Sequence, residues 1–246
     1  MSAVLGSSFN LSIAKALRSR TALFVEGDDM KILRVLAKKV GATRLASELG
    51  IAIVPIGGFS HWPSVEAFAW IKSKFLGKSV KVRVLLDRDY RSDQECVRLV
   101  ESLANSDVSA HVWARKELES YLLEVPVVQR VGGLDETQTL RELERIADDR
   151  KPDVFGQFQK AMLGRKLPSE DVATTFSRAS TEFDLLWAGL PSKIAICPAK
   201  TLIAGWNAST AKTGASPISA SKLAQAMRMS ELNDEVVQFL LAVEAD

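Results

Sequence analysis

Four short apolar runs, rich in β-branched residues, alternate along the first half of the chain with helical patterns. The runs are TALFV (21–25), IAIVPI (51–56), VKVRVLL (80–86) and SAHVWA (109–114). Between them, segments such as MKILRVLAKKV (30–40) repeat apolar residues at three- and four-residue steps. A strand that is apolar throughout must be covered on both faces, and strands each followed by a helix achieve this in a parallel sheet. The rhythm predicts an α/β fold with a mostly parallel sheet flanked by helices.

After about residue 130 the texture changes. DETQTLRELERIADDR (135–150), FGQFQKAMLGRK (155–166) and LNDEVVQFLLAVEA (232–245) are helical patterns, separated by Gly, Pro and Ser-rich breaks such as KTGASPIS (212–219). The expected organisation is a helical lead-in over residues 1–20, an α/β domain over 21–130 and a mainly helical C-terminal region over 131–246. Neither an internal repeat nor a low-complexity tract interrupts it.

Composition excludes several classes. With 47% hydrophobic and 25% charged residues in 246, the chain has the makings of a buried core and not of a disordered segment. The 32 basic and 30 acidic residues leave a net charge of +2, so any nucleic-acid partner has to be recognised by a local site and not by a global field. Cys96 and Cys197 stand far apart without a CxxC or His-rich neighbour, which argues against zinc and for a reducing compartment. The start lacks a signal-peptide core, and no apolar run reaches the length of about 18 residues that spans a membrane. A cytoplasmic protein with no membrane partner is expected.

Acids concentrate at strand ends. In FVEGDDMKIL (24–33), Glu26, Asp28 and Asp29 follow the first apolar run, with Gly27 where the backbone must turn; in VRVLLDRDYRS (82–92), Asp87 and Asp89 follow the third. Loops leaving the carboxyl ends of parallel strands form the ligand edge of such a sheet. A cluster of carboxylates there needs a positive neutraliser, and a divalent metal held by oxygen ligands is the natural one. Asp28 alone reads as a first-turn acid on the following helix.

LFVEGDDMKIL, IGGFSHWPSVEAF (56–68), VLLDRDY (84–90) and RKELESYLL (115–123), in this order, resemble the Toprim domain of the OLD (overcoming lysogenization defect) family, whose Toprim domain normally follows an ABC-type ATPase domain. The resemblance is strong over residues 8 to 130 and continues weakly to PAKTL (198–202). It implies a Toprim, Rossmann-like sheet and a metal-dependent endonuclease that hydrolyses DNA phosphodiesters through a two-metal Mg²⁺ or Mn²⁺ site.

Residue by residue, Glu26 resembles the first-motif acid and Asp87 and Asp89 the metal-binding DxD pair. Glu119 resembles a glutamate that completes a metal shell, Glu117 stands two positions before it, and Lys200 resembles a lysine that stabilises charge at the scissile phosphate. The family's second acid, four residues after the glutamate, is replaced here by Met30. Asp29 is the available substitute, while Met30 opens the apolar series Met30, Leu33, Ala37, Val40 and is expected in the core. Glu26 and Asp29 are assigned to one metal, and Asp87, Asp89 and Glu119 to the other. Two ions roughly 4 Å apart would activate water, offset charge on the phosphate and assist the leaving oxygen.

Basic residues should then meet the nucleic-acid backbone. Arg88 and Arg91 bracket the DxD acids and Arg115 precedes Glu117, with Lys116 sharing that position; the run Lys72, Lys74, Lys78, Lys81, Arg83 reads equally as phosphate contacts or as a solvated helix end. His111, inside a strand pattern, reads as packed; His61 lies on a loop explained by helix entry at Pro63. Trp70, Trp187 and Trp206 read as core or interface anchors.

The chain lacks a GxxxxGK[ST] stretch, so an ATPase would be a partner or lie outside it. The resemblance suggests a role in bacterial antiviral defence, and the helical C-terminal region is a candidate for the ATPase contact, for a homo-oligomer interface or for a cover over DNA. Two other readings compete. One is a phosphatase of the haloacid dehalogenase type, with Asp87 as nucleophile, although Tyr90 and Arg91 follow where that motif wants a small residue and Thr or Val. The other is a non-catalytic Toprim module. Tyrosine-dependent topoisomerase chemistry has only Tyr90 and Tyr121 to offer, neither in a nucleophile context.

Overall fold

The computed structural model describes residues 7–26, 29–56, 80–166 and 168–246. The chain forms two compact units. The first comprises residues up to Asp87, 92–113 and 228–246, and the second comprises 88–91 and 114–227. No helix among the described residues is long and apolar enough to cross a membrane.

The first unit is α/β. Its strands β1 (Thr21–Glu26), β2 (Ile51–Ile56), β3 (Lys81–Leu86) and β4 (Val108–Val112) are all parallel, in the order β2-β1-β3-β4. Central β1 is buried from Thr21 through Val25, as its unbroken apolar run requires. Pro55, which has no N–H to give to a ladder, sits in β2, an edge strand among the described residues.

Strand alternation divides the side chains between two layers. Ala22, Phe24, Val54, Val82, Val84 and Leu86 share one face with Ala16 of α1 (Ser7–Ala16) and Leu103 at the end of the helix α4 (Asp93–Ala104). The start of α4 is fixed by a capping box in which the Ser92 hydroxyl accepts from Glu95 N and the Glu95 carboxylate accepts from Ser92 N. Helix α2 (Asp29–Val40) packs against β1 and buries Met30, Ile32, Leu33, Leu36 and Ala37, so Met30 is a core residue as its spacing predicts. Helix α3 (Thr43–Ser47) follows it.

The C-terminal helix (Asp234–Glu244) returns to this unit, which divides the chain differently from the sequence reading. Charge and packing draw it there. The Glu244 carboxylate accepts hydrogen bonds from Arg44 N at 3.0 Å and Leu45 N at 2.9 Å, covering donors that the short helix α3 leaves open. Asp246 pairs with Lys81 Nζ at 2.9 Å and with Arg83. Phe239 lies 5.1 Å from the His111 ring and 5.3 Å from the Trp113 ring.

The second unit is mainly helical. A 3₁₀ turn (Leu118–Leu122) precedes α5 (Val125–Gly132), α6 (Glu136–Asp149), α7 (Lys151–Gly164), α8 (Val172–Leu186), α9 (Leu190–Ile196), α10 (Ala199–Thr213) and α11 (Ala220–Ala226). Helix α6 begins with a capping box between Asp135 and Gln138 and buries Thr139, Leu143, Ile146 and Ala147 at three- and four-residue steps. Trp206 is fully buried, with Nε1 donating to Ser216 O at 3.0 Å, and Trp187 stacks on Phe183 at 5.1 Å; both are core anchors. Trp70 lies outside the described residues.

Candidate functional site

The strand order places a topological switch between β1 and β3. From β1 the chain runs to β2 on one side, then to β3 on the other, so the connections after β1 and β3 lead away from each other, the arrangement that in open parallel sheets puts ligands at the carboxyl ends of the strands. Glu26 is the last residue of β1 and Asp87 follows the last residue of β3. The register pairs Phe24 with Val84, which carried two residues further sets Glu26 level with Leu86, beside Asp87 in the chain. Both acids are half-buried. Asp29 opens α2 and is 8% exposed, at the end where the helix dipole favours a carboxylate. Gly27 and Asp28 lie outside the described residues.

The division between the units falls directly after Asp87, so the other candidate acids belong to the second unit. Asp89 takes the left-handed backbone conformation, with φ +52°, which Asp tolerates better than most residues. Its N–H donates to Lys116 O at 3.0 Å, and Lys116 Nζ donates to Asp89 Oδ1 at 3.0 Å; Arg91 Nη1 stands 3.5 Å from Oδ2. Lys116 is buried, its ammonium 4.3 Å from the centre of the Tyr90 ring.

Burial pushes the Tyr90 phenol well above its ordinary range, with Cys197, Asp89 and Glu117 adding to the effect. A phenol held protonated is a weak nucleophile.

Glu117 and Glu119 form a second acidic pair. Glu117 accepts from Ala199 N at 2.7 Å, at the start of α10, and Glu119 is 7% exposed. Burial, then the charge of Glu119, raises the Glu117 pKa, while Ala199 N–H, Lys116 and Lys200 pull against that rise. Lys200 Nζ reaches to 3.7 Å from Glu119, on a side chain that is 80% exposed. The Lys200 ammonium is therefore positioned beside an acid while open to an incoming anion.

The expected phosphate-contacting arginines are tied into their own loops. Arg88 Nε donates to Arg91 O at 2.8 Å and its Nη1 to Ala114 O at 3.2 Å, while Arg91 Nη1 donates to Arg88 O at 3.2 Å. Arg115 donates to Ser120 O and to Glu124, both at 2.9 Å, with its guanidinium over the Tyr121 ring. Lys81 and Arg83 lie in the amino-terminal half of β3, away from its acidic end, and are engaged by Asp246. Lys72, Lys74, Lys78 and His61 lie outside the described residues. His111 is packed edge-on to Trp113 at 4.7 Å, with Nε2 3.1 Å from Glu235 Oε1.

Two lysines gained roles that the sequence pattern did not assign. One is Lys116, expected beside Arg115 as a phosphate contact and instead paired with Asp89. The other is Lys193, 7% exposed between Glu144 at 3.1 Å and Asp148 at 2.8 Å, for which no local signal exists.

The candidate donors are all carboxylate oxygens, which suit a hard divalent cation. Among the described residues no three His, Cys, Asp or Glu side chains are gathered as a metal-holding group. The arrangement fits an ion that keeps most of its water and takes one or two carboxylates, and it does not fit a closed protein cage.

No family model matches the chain, and no curated protein matches it. Among solved structures, the C-terminal region of the Xanthomonas campestris pv. campestris OLD protein is similar at 15% identity and a TM-score of 0.38, covering 92% of this chain and 96% of that one.

Proposed function

We propose that this chain is a Toprim-type endonuclease that hydrolyses DNA phosphodiesters with Mg²⁺ or Mn²⁺. The observation that carries the reading is the placement of Glu26 and Asp87 at the carboxyl ends of β1 and β3, on either side of the topological switch. The four sequence motifs in Toprim order support it independently.

Glu26, Asp29 and Asp87 in the first unit and Asp89, Glu117 and Glu119 in the second are the candidate ligands, of which one or two at a time would hold an ion that keeps most of its water. The ion would supply an acidified water and neutralise charge on the nonbridging phosphate oxygens. The work of the chain is to present ionised carboxylates from rigid strand ends and, with exposed Lys200, a cation able to follow a phosphate. An ABC-type ATPase is the partner that the motif order implies, and defence against phage is the setting it suggests.

Nicking of supercoiled plasmid by the purified chain in Mg²⁺ or Mn²⁺, absent in EDTA and lost in Asp87→Ala, is the expected result. Metal-independent nicking, or nicking retained by Asp87→Ala, would refute it.

A second reading, a Toprim module that binds a partner or nucleic acid without cutting, is favoured by one observation. Asp89 is already neutralised by Lys116 and Arg91. That reading predicts DNA binding in EDTA and no cleavage under any metal.

A further inference from the structure

Residues 12–50 hold eight basic residues and four acidic ones, in a chain whose totals are 32 and 30, so this stretch more than accounts for the positive excess of the whole. Three of the acids, Glu26, Asp28 and Asp29, fall together between β1 and α2, which leaves Glu48 as the fourth.

Helix α2 concentrates the excess. After Asp29 it carries Lys31, Arg34, Lys38 and Lys39 and no acid. Lys31, Arg34 and Lys38 are exposed and follow one another at steps of three and four, which puts them on one stripe opposite the buried Met30, Leu33 and Ala37.

Ordinary helix chemistry explains only part of this. Lys38 and Lys39 lie in the last turn, where the macrodipole favours a cation, but Lys31 lies in the first turn, where it does not. Cations three and four residues apart on one face also repel. Elsewhere the chain interleaves signs: Arg145 of α6 sits between Glu142 and Asp149, both at 2.6 Å, and Arg178 of α8 meets Glu170 at 3.0 Å. Beside the α2 stripe, Glu48 pairs with Arg34 and also with Lys15 of α1. One carboxylate offsets one of those two charges and brings Lys15 alongside Arg34, so the cluster stays net positive. Exposed pairs of this kind are weak and screened by salt, and the two cations can turn to a polyanion.

The stripe begins next to the candidate acids, since α2 starts three residues after Glu26. From Lys31 to Lys38 it runs for about 10 Å at about 1.5 Å per residue. That length faces about three successive phosphates of one DNA strand, which recur about every 3.4 Å.

We propose that Lys31, Arg34 and Lys38, extended by Lys15, bind the phosphate backbone of DNA on its approach to the acids ending β1 and β3, without reading sequence. The inference rests on the reading of the chain as one that acts on DNA. It assigns to α2 the backbone contacts expected of Arg88, Arg91 and Arg115, which are engaged by carbonyls and a carboxylate near them in the chain.

Fluorescence anisotropy of a labelled duplex of about 30 base pairs, titrated with the full chain in EDTA, measures binding apart from cleavage. Lys31→Gln, Arg34→Gln and Lys38→Gln together keep helix propensity and remove three charges. This triple variant should bind more than about tenfold more weakly at about 0.1 M salt, and its slope of log K against log salt should be shallower by about 2 to 3. Arg141→Gln, Lys160→Gln and Lys212→Gln, at exposed positions of the second unit, remove the same charge and should change both quantities far less. Thermal melts certify that each variant folds. If the α2 triple does not, Lys31→Gln with Lys38→Gln keeps the Arg34–Glu48 pair and should still lower the slope by about 2.

Unchanged binding by the α2 variant, or equal losses in the two triple variants, overturns the proposal while leaving the endonuclease reading intact. Wild-type protein that binds no duplex in EDTA yet nicks plasmid in Mn²⁺ has the same consequence. Binding to phosphatidylserine vesicles but not to duplex also overturns it and makes the stripe a membrane-facing surface. Binding that weakens as predicted, with plasmid uncut in every metal, supports the proposal and contradicts the endonuclease reading.

Discussion

Gly132 lies against the indole of Trp206 so closely that a β-carbon on it would stand 2.4 Å from Cζ2. The ring is fully buried and held by its hydrogen bond to Ser216 O, so it has no room to retreat. Gly132→Ala should destabilise the protein by about 1–3 kcal/mol, as overpacking does. Gly156, within α7 and with open space around it, is the contrasting case; Gly156→Ala should stabilise by about 0.5–1 kcal/mol through helix propensity. Urea melts of the two variants should move in opposite directions.

Asp89 joins a positive φ to an ion pair with a buried lysine, and the two requirements separate by substitution. Asp89→Asn keeps a residue that tolerates the turn, whereas Asp89→Ala loses both the turn preference and the partner of Lys116. In EDTA, Asp89→Ala should cost about 1–3 kcal/mol and Asp89→Asn less. Equal losses on thermal melting would show that the turn contributes nothing.

Glu117 has a pKa raised by burial and by Glu119, so its folded-state pKa exceeds its unfolded one. The folded state therefore holds the proton more tightly, and stability falls as pH rises from the ordinary carboxylate range, near 4, through the raised value. Glu117→Gln keeps an oxygen for Ala199 N–H and removes the charge. In EDTA it should raise Tm at neutral pH and flatten that decline, while lowering metal-dependent activity. A lower Tm at pH 7 than wild type would contradict the assignment.

Asp246 behaves oppositely. Burial would push its pKa up, but hydrogen bonds from Arg83 and Lys81 outweigh it and the net shift is downward. Its contribution is present above the ordinary carboxylate range and is lost as pH falls below about 4. Asp246→Asn should therefore weaken the protein at pH 7 and much less at pH 2–3. A loss that is the same at both pH values would show that charge is not what fastens the C-terminal helix.

The strands were legible because burial on both faces leaves a composition signature, and β1 carries it without interruption. Met30 was legible for a related reason, since its three- and four-residue spacing with Leu33 and Ala37 marks the buried side of α2. The placement of Glu26 and Asp87 at strand ends could be read once the strands were known. The return of the C-terminal helix could not, because Glu244 meets Arg44 across 200 residues of chain and no local pattern encodes that meeting. Arg83 shows the same limit. Its charge read equally as a phosphate contact or as part of a solvated helix end, but its partner is Asp246, and only the folded sheet shows that it lies toward the amino end of β3.

The central claim is that the acids ending β1 and β3 act together in one metal-dependent cleavage. It is tested most directly by single-turnover plasmid cleavage in saturating Mn²⁺ with wild type, Glu26→Gln, Asp87→Asn and the double variant. Groups that act as a unit are non-additive, so each single substitution should reduce the rate to near background and the double should be no slower. Wild-type cleavage surviving in Glu26→Gln, or two partial losses that multiply in the double variant, would contradict the account.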